Sequence, residues 1–161
     1  MPTKTKTSEQ PLRGHHTRLI GLFQDLVAEA KKNDRSKLRA MWTTFESALL
    51  AHINAEEAEL IPLYRRAHPG KAAALLEDHA FFRESLTEFG VDLDLHLMRV
   101  NAVESFIRRL RDHAVSEDAD LYAWAEQEVP RNVQERFRKA AEAVPLPPHF
   151  GAVGASGVIS R

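Results

Sequence analysis

The sequence predicts an all-α protein: an antiparallel up-down-up-down four-helix bundle with a short fifth helix and a flexible tail at its C-terminus. Apolar residues recur at three- and four-residue spacing through four stretches of about 18 to 30 residues, which is the pattern of amphipathic helices. Glycine is scarce, with 7 in 161 residues, and three of these lie beyond residue 150. Short connections between long helices place neighbours antiparallel, and this favours a bundle.

The first two helices are predicted to form a hairpin. Apolar periodicity covers Leu12 to Lys32, and Asn33-Asp34 interrupts it. The second helix is expected to begin near Ser36, whose hydroxyl suits an N-cap. It is expected to bend or end near Pro62, because proline lacks the N–H that a helix interior needs, and His68-Pro69-Gly70 closes it.

The remaining helices are predicted to form a second hairpin and a short addition. The third helix spans about Ala72 to Phe89, and Gly90 is expected to stop it, since glycine commonly follows a helix end. Val91 to Arg99 is a connector of undetermined structure. The fourth helix covers Val100 to Glu128, and a fifth runs from Pro130 to Ala143, since proline suits a first turn.

These elements divide the chain into four parts. Residues 1–11 are expected to be a flexible lead, 12–128 the bundle, 129–144 the short C-terminal helix, and 145–161 a flexible tail rich in Pro, Gly, Ala and Ser. The two hairpins also repeat each other, with a lone histidine on the first helix of each and a histidine–glutamate pair on the second.

Composition excludes several classes of function. The formal net charge is −1, so no strongly basic surface for nucleic acid is expected. The absence of cysteine excludes disulfides, thiolate metal sites and cysteine nucleophiles. No apolar run approaches the roughly 20 residues of a membrane span, and the polar N-terminus lacks a secretory signal. We therefore expect a cytoplasmic protein that binds neither nucleic acid nor membrane.

One nine-residue phrase occurs twice, 61 positions apart: HINAEEAEL at His52–Leu60 and HAVSEDADL at His113–Leu121. In each phrase a glutamate follows the histidine by four positions, which places both on one face of a helix. A single pair of this kind is explained as well by a surface ion pair. Its recurrence predicts two imidazole–carboxylate pairs that face each other across the bundle.

The histidine positions favour burial at a metal site. Leucine stands three residues before each of three histidines: Leu49 before His52, Leu76 before His79 and Leu110 before His113. This spacing puts the imidazoles on the apolar stripe of their helices. Buried imidazoles and carboxylates are costly without partners, and a metal ion satisfies them together. A core lined with hydrogen-bonded structural histidines remains the alternative.

The donor types restrict the metal. Imidazoles and carboxylates without thiolates suit iron, manganese or zinc, and two glutamates from opposite helices favour a dinuclear centre. No acidic residue precedes any histidine by three positions, so the ferritin-like Glu-x-x-His pattern is absent. His-Glu-x-x-His is absent too, and with it support for a zinc protease.

The ordered set of motifs resembles the hemerythrin-like proteins, the HHE cation-binding domains, over about Leu12 to Glu128. That family has a lone histidine on the first helix, His-x-x-x-Glu-Glu on the second, a lone histidine on the third and His-x-x-x-Glu on the fourth. The resemblance implies a four-helix bundle with two iron ions (Fe²⁺ or Fe³⁺) joined by an oxo or hydroxo bridge, with zinc or manganese as alternatives. By position, the implied ligands are His16, His52, Glu56, His79, His113 and Glu117, with Glu56 and Glu117 as the bridging carboxylates.

Several positions depart from the oxygen-carrying members or leave a choice open. The carriers have a second histidine on the third helix, where this chain has Arg83, so one iron is left with a position for water, an exogenous ligand or His15. Their fourth-helix carboxylate lies at +5, here Asp118, but helical geometry favours Glu117 unless the helix bulges. His15 is an alternative to His16 as the first-helix ligand. Glu57 is a further candidate, although a solvated or outer role suits it better.

Three functional hypotheses follow. The chain is expected to bind or sense O2, NO or iron itself, with a small diatomic or peroxide ligand at the open position. An enzyme acting on peroxide or O2 is the second hypothesis, and a metal-stabilised structural or regulatory module is the third. Tyr64 and Tyr122 are interpreted as packing at the bundle end, with a redox role or a hydrogen bond to a ligand as the alternatives. No protein partner is indicated, and either a monomer or a homodimer is compatible with the sequence.

Overall fold

The computed structural model describes residues 13–32, 34–95, 97 and 99–147. The predicted lead and most of the predicted tail therefore lie outside the described residues. Within those residues the chain forms helices and no strands. The α-helices are α1 (Arg13–Ala30), α2 (Arg35–Ala55), α3 (Ile61–Ala67), α4 (Pro69–Leu95), α5 (Val100–Ser116), α6 (Tyr122–Glu128) and α7 (Arg131–Ala141).

The bundle consists of four long helical segments, here called rods, and two of these rods each contain two α-helices. A π-helical turn, Glu56–Leu60, joins α2 to α3, and a second, Glu117–Leu121, joins α5 to α6. Helix α1 packs against α2 and α5, and α4 packs against α2, α3 and α5, so the four rods close into a bundle. The predicted all-α bundle is confirmed.

Helix α2 begins one residue before the predicted Ser36. Asp34 is its N-cap, and the Asp34 carboxylate accepts a hydrogen bond of 3.1 Å from the backbone N–H of Lys37. Aspartate and serine are equally good caps, so sequence preference alone does not choose between neighbouring candidates.

Pro62 does not end the second rod, which was predicted to bend or end near it and which continues to Ala67. It lies in the first turn of α3, directly after the π-helical turn, where the N–H of Ile61 bonds to the carbonyl of Glu56. A π-helical turn already interrupts the usual hydrogen bonds from residue i to residue i−4. A proline just beyond it therefore costs the helix fewer hydrogen bonds than a proline in a regular helix interior would.

Gly90 does not stop the third helix, contrary to the prediction. Helix α4 continues through it to Leu95. A Cβ atom built on Gly90 would lie 3.6 Å from Nε1 of Trp42. The small residue therefore lies where α4 passes close to the Trp42 ring of α2, rather than at a helix end.

Apolar side chains form two clusters along the bundle axis. The first contains Phe23, Phe45, Phe82, Phe89 and Phe106, one or more from each of α1, α2, α4 and α5. The second contains Leu60, Tyr64, Leu75, Leu121, Tyr122 and Phe137. Helix α7 packs on α2 and the first π-helical turn. Beyond α7, Val144 and Leu146 pack on the first cluster, so the start of the predicted tail lies against the bundle.

None of the helices in the described part of the chain is both long enough and apolar enough to cross a membrane.

Candidate metal centre

The bundle brings all six implied ligands together in its interior. They are His16 on α1, His52 on α2, Glu56 in the first π-helical turn, His79 on α4, His113 on α5 and Glu117 in the second π-helical turn. Each is 5% exposed or less, and Glu56, His79 and Glu117 are fully enclosed. Residues up to about 100 positions apart thus meet between the four rods.

The donor atoms form two overlapping groups. One contains His16, His52, Glu56 and Glu117, and the other contains Glu56, His79, His113 and Glu117. Within each group the donor atoms all lie within 4.8 Å of one another. Both glutamates belong to both groups, so the two groups share their carboxylates.

Separations between neighbouring donors are close to those around a metal ion. In the first group, Nε2 of His52 lies 3.0 Å from Nε2 of His16 and 3.0 Å from Oε1 of Glu56. In the second, Nε2 of His113 lies 2.9 Å from Oε1 of Glu117, and Nε2 of His79 lies 3.1 Å from Oε2 of Glu56. Ligands about 2.1 Å from an ion stand about 3.0 Å apart when they are adjacent in an octahedron.

Several inward-facing atoms lack hydrogen bonds although they are completely buried. Within the described residues these include Nε2 of His79, Oε2 of Glu56 and both carboxylate oxygens of Glu117. Their neighbours lie at ion-pair distance but not in hydrogen-bond geometry. Buried polar atoms are almost always satisfied, so these donors fit a bound cation.

The outer edges of the α4 and α5 imidazoles are held by carboxylates. Nδ1 of His79 lies 2.9 Å from Glu57, whose carboxylate also accepts two hydrogen bonds from Arg83. Nδ1 of His113 lies 3.0 Å from Asp78, whose carboxylate accepts a bond from Nε of Arg109. A carboxylate on Nδ1 holds the proton there and leaves Nε2 free to bind a metal.

The other two imidazoles have different outer neighbours. Nδ1 of His16 lies 3.4 Å from Asp118, and Nδ1 of His52 lies 2.8 Å from Nδ1 of His15. Burial, followed by the charge of His52, lowers the pKa of His15 to about 3, so its imidazole is neutral. His15, Asp118 and Glu57, the three additional candidates, thus lie behind imidazoles rather than in either donor group. His15 lies beside His52 and not beside His79. Residue 83, where the oxygen carriers have a further histidine, is an arginine.

The carboxylates of Glu117 and Asp118, at the start of the second π-helical turn, lie next to different histidine nitrogens. The fourth rod bulges, but the bulge begins at Glu117, whose N–H still bonds to the carbonyl of His113. The spacing of four is therefore retained between these two side chains. Asp118 points to His16 instead. The repeated phrases both contain such a turn at the same place, a feature that residue spacing alone did not indicate.

Strong charge pairing surrounds the two glutamates. Burial opposes protonation of His16, but the neighbouring carboxylates of Asp118 and Glu117 outweigh burial and raise its pKa to about 10. Burial also opposes charge on His79 and His113, whose carboxylate neighbours raise their pKa values to about 9 and about 10. Burial also opposes ionisation of Glu117, yet the positive charge of His113 holds the pKa of Glu117 well below its usual range. The metal-free centre therefore pairs imidazolium groups with carboxylates.

Tyr122 was predicted to pack at the bundle end, with a redox role or a hydrogen bond to a ligand as alternatives, and it lies in the second apolar cluster with its hydroxyl at the centre. Its hydroxyl donates to Oε1 of Glu56 and lies 3.2 Å and 3.1 Å from Nε2 of His16 and His52. Tyr64, in contrast, packs against the rings of His68 and Trp124, as predicted. The contact of Asp78 with His113 was not predicted. Asp78 directly precedes His79 in the sequence, and adjacent residues do not share a helix face, so spacing gave no reason to place it at the centre.

A small apolar cavity adjoins the centre. Its volume is about 10 Å³, and the side chains that line it include His16, His52, His113, Leu49, Phe82 and Leu110. A volume of this order holds about one water-sized molecule.

Comparison with known proteins agrees with the geometry. The family model of the hemerythrin HHE cation-binding domain matches residues 8–125. No curated protein and no solved structure matches the chain. Because the match spans most of the chain, this protein belongs to the hemerythrin HHE cation-binding domain family.

Proposed function

We propose that this chain is a non-haem di-iron protein that binds or senses a small diatomic ligand. The proposed iron ligands are His16, His52, Glu56, His79, His113 and Glu117. The observation that carries the proposal is the overlap of two buried donor groups that share both glutamates. Carboxylates bridge two ions readily, whereas an imidazole binds one, so shared glutamates favour a dinuclear over a mononuclear centre.

Iron suits both this donor set and the proposed diatomic ligand. Imidazole and carboxylate donors accept iron, manganese or zinc, but of these zinc has no redox chemistry. When bound, two ferrous ions would supply the electrons that allow O2 or NO to bind reversibly. The protein residues would orient the ions and keep bulk water away.

The size and lining of the adjacent cavity support a small ligand. About 10 Å³ accommodates one water-sized molecule and excludes an organic substrate. Leu49, Phe82 and Leu110 make the lining largely apolar, which suits O2 or NO better than a charged ligand. On the His79 side, Arg83 stands where the oxygen carriers have a histidine and is engaged with Glu57. The ion on that side would therefore have His79, His113 and the two shared glutamates as protein donors.

Metal analysis of single-residue variants tests the ligand set. Protein purified after expression with added iron is expected to contain two iron ions per chain, and His52→Ala and His113→Ala are each expected to lose iron. His68→Ala is the matched control, because His68 is exposed and belongs to neither donor group; its ring lies tilted against Tyr64, with the centroids 4.9 Å apart. Unchanged iron content in both ligand variants would contradict the assignment.

Ligand addition then separates the binder from the alternatives. A stable spectral change on exposure of the reduced protein to O2 or NO is expected for a binder or sensor. Rapid oxygen evolution after peroxide addition would instead assign the enzymatic alternative. Zinc in place of iron, with no response to either ligand, would favour a metal-stabilised structural module.

A further inference from the structure

Tyr122 has a hydroxyl group enclosed among the donor atoms of the first group. Its side chain is completely buried, and its oxygen lies 3.1 Å from Nε2 of His52 and 3.2 Å from Nε2 of His16. It also donates a hydrogen bond to Glu56. The two distances to imidazole nitrogens are close to the 3.0 Å that separates His52 from His16 and from Glu56.

The second π-helical turn explains why Tyr122 faces the centre. In that turn the N–H of Tyr122 bonds to the carbonyl of Glu117, five residues earlier. In a regular helix a residue at +5 points about 140° away, but a bond from i+5 to i brings the two residues onto the same face. Tyr122 therefore points in the same general direction as Glu117.

The repeated phrases differ at this position. Counted from the histidine of each phrase, Ile61 in the first half corresponds to Tyr122 in the second. Both residues directly follow a π-helical turn. The two halves thus offer equivalent histidine–glutamate pairs, but only the second adds an oxygen donor at this position.

Hydrogen bonding alone does not account for the position of the hydroxyl once a metal is bound. A phenol has one proton, and Glu56 accepts it. His16 and His52 could donate to the phenol oxygen only through Nε2–H, and a metal bound at Nε2 removes both protons. The remaining lone pairs of the phenol oxygen would then face the space between these two imidazoles.

We propose that the phenol oxygen of Tyr122 is a protein ligand of the metal ion held by His16 and His52. The inference rests on the proposed di-iron function and deepens it. Metal binding replaces the phenol proton, which passes to water, and Glu56 then binds the metal with the oxygen that had accepted that proton.

This ligand makes the two ions unequal. The His16–His52 ion gains a fifth protein donor, whereas the His79–His113 ion has two imidazoles and the two shared carboxylates. An exogenous ligand would therefore bind preferentially at the His79–His113 ion.

Resonance Raman spectroscopy of the ferric protein tests the proposal. A phenolate bound to ferric iron has a visible charge-transfer band, and excitation into that band enhances the ring vibrations of the tyrosine. The wild-type protein is expected to show these vibrations, and they should shift when the protein is made with ring-deuterated tyrosine. The chain has only 2 tyrosines, so the assignment needs only two variants.

Tyr122→Phe is expected to lose the band and the ring vibrations, and Tyr64→Phe, the matched control, is expected to keep both. Iron-loaded wild-type protein without tyrosine vibrations would overturn the proposal, and so would vibrations that persist in Tyr122→Phe. If Tyr122→Phe does not fold, vibrations retained in Tyr64→Phe still assign the ligand to Tyr122. Wild-type protein that binds no iron would instead contradict the proposed function, and iron content distinguishes the two failures.

Discussion

Glu57 illustrates how a partly exposed residue controls a buried one. Its carboxylate accepts hydrogen bonds from Arg83 on one side and faces Nδ1 of His79 on the other. Arg83 occupies the position of a histidine in oxygen-carrying relatives, and here it fixes Glu57 instead. The arginine at this position is thus coupled, through Glu57, to the orientation of the His79 imidazole.

Replacing Glu57 is expected to weaken metal binding without removing a ligand. Glu57→Gln removes the negative charge that keeps the proton of His79 on Nδ1, so Nε2 becomes a poorer donor. The expected loss of metal affinity is about 10- to 100-fold. Competition against a chelator of known affinity measures it.

Asp120→Asn is the control for Glu57→Gln. Asp120 lies in the second repeated phrase but pairs with Lys71 at the surface. Its substitution is expected to leave metal affinity unchanged. Equal affinities for Glu57→Gln and wild type would show that the tautomer of His79 does not depend on this carboxylate.

Metal uptake is expected to depend on pH. The raised pKa values of His79, about 9, and of His16 and His113, about 10, mean that all three carry an extra proton at neutral pH when no metal is bound. A metal must displace these protons, so affinity rises as pH rises toward 9, by about tenfold per pH unit for each proton displaced. Calorimetry in buffers of different ionisation enthalpy counts the protons released.

A binding enthalpy that does not change between such buffers would contradict this expectation, since it would mean that the imidazoles are already neutral. Measurements should stay above pH 5, so that protonation of carboxylates does not add to the effect.

Sequence reasoning located the inner residues of the centre better than the outer ones. His52 with Glu56, and His113 with Glu117, follow from helical spacing and recurrence. Asp78 and Tyr122 do not, because their positions depend on helix–helix packing and on a π-helical turn. Spacing arguments assume 3.6 residues per turn. That assumption fails in the π-helical turn Glu117–Leu121, which directly precedes Tyr122.

At the scale of elements, the sequence predicted the four long rods and some of their limits, such as Val100 and Glu128, but it missed others. Periodicity over many residues is a strong signal, whereas a single cap or breaker is a weak one. Asp34 replaced Ser36 as a cap, Pro62 was accommodated after a bulge, and Gly90 lies within a helix. In each case tertiary packing or a neighbouring residue decided the outcome.

Gly90→Ala is expected to stabilise the protein. Gly90 lies inside α4, and an added Cβ would meet Trp42 at 3.6 Å, an ordinary contact distance. Alanine favours a helix interior over glycine by about 0.5 to 1 kcal/mol. Denaturant-induced unfolding of metal-free protein measures the change in the free energy of unfolding.

Gly70→Ala provides the comparison for Gly90→Ala. Gly70 lies in the first turn of the same helix, and a Cβ there would meet nothing within 4 Å. Its substitution is expected to have the smaller effect, because a first turn contributes fewer helical hydrogen bonds. A loss of stability in Gly90→Ala would mean that the Trp42 ring cannot tolerate the added methyl group.

At the scale of the whole molecule, the centre lies between two apolar clusters and joins the two hairpins. One donor group takes His16, His52 and Glu56 from the first hairpin, and Glu117 from the second. The other takes His79, His113 and Glu117 from the second hairpin, and Glu56 from the first. Each proposed ion therefore ties the two halves of the bundle together.

Metal removal is expected to loosen the whole bundle. A ligand that binds only the folded state adds about 4 kcal/mol of stability when its free concentration is 1,000 times the Kd. Metal-free protein should therefore unfold at a lower temperature than iron-loaded protein in a thermal scan. The difference should shrink in His52→Ala, and equal unfolding temperatures for loaded and metal-free wild type would contradict the prediction.

The sharing of Glu56 and Glu117 has a consequence for biosynthesis. Neither donor group is complete until residue 117 has been made, because Glu117 belongs to both. A chain still emerging from the ribosome with only its first hairpin formed would offer His16, His52 and Glu56, half of the six proposed ligands. The shared centre proposed here would thus form only after nearly the whole bundle has been synthesised.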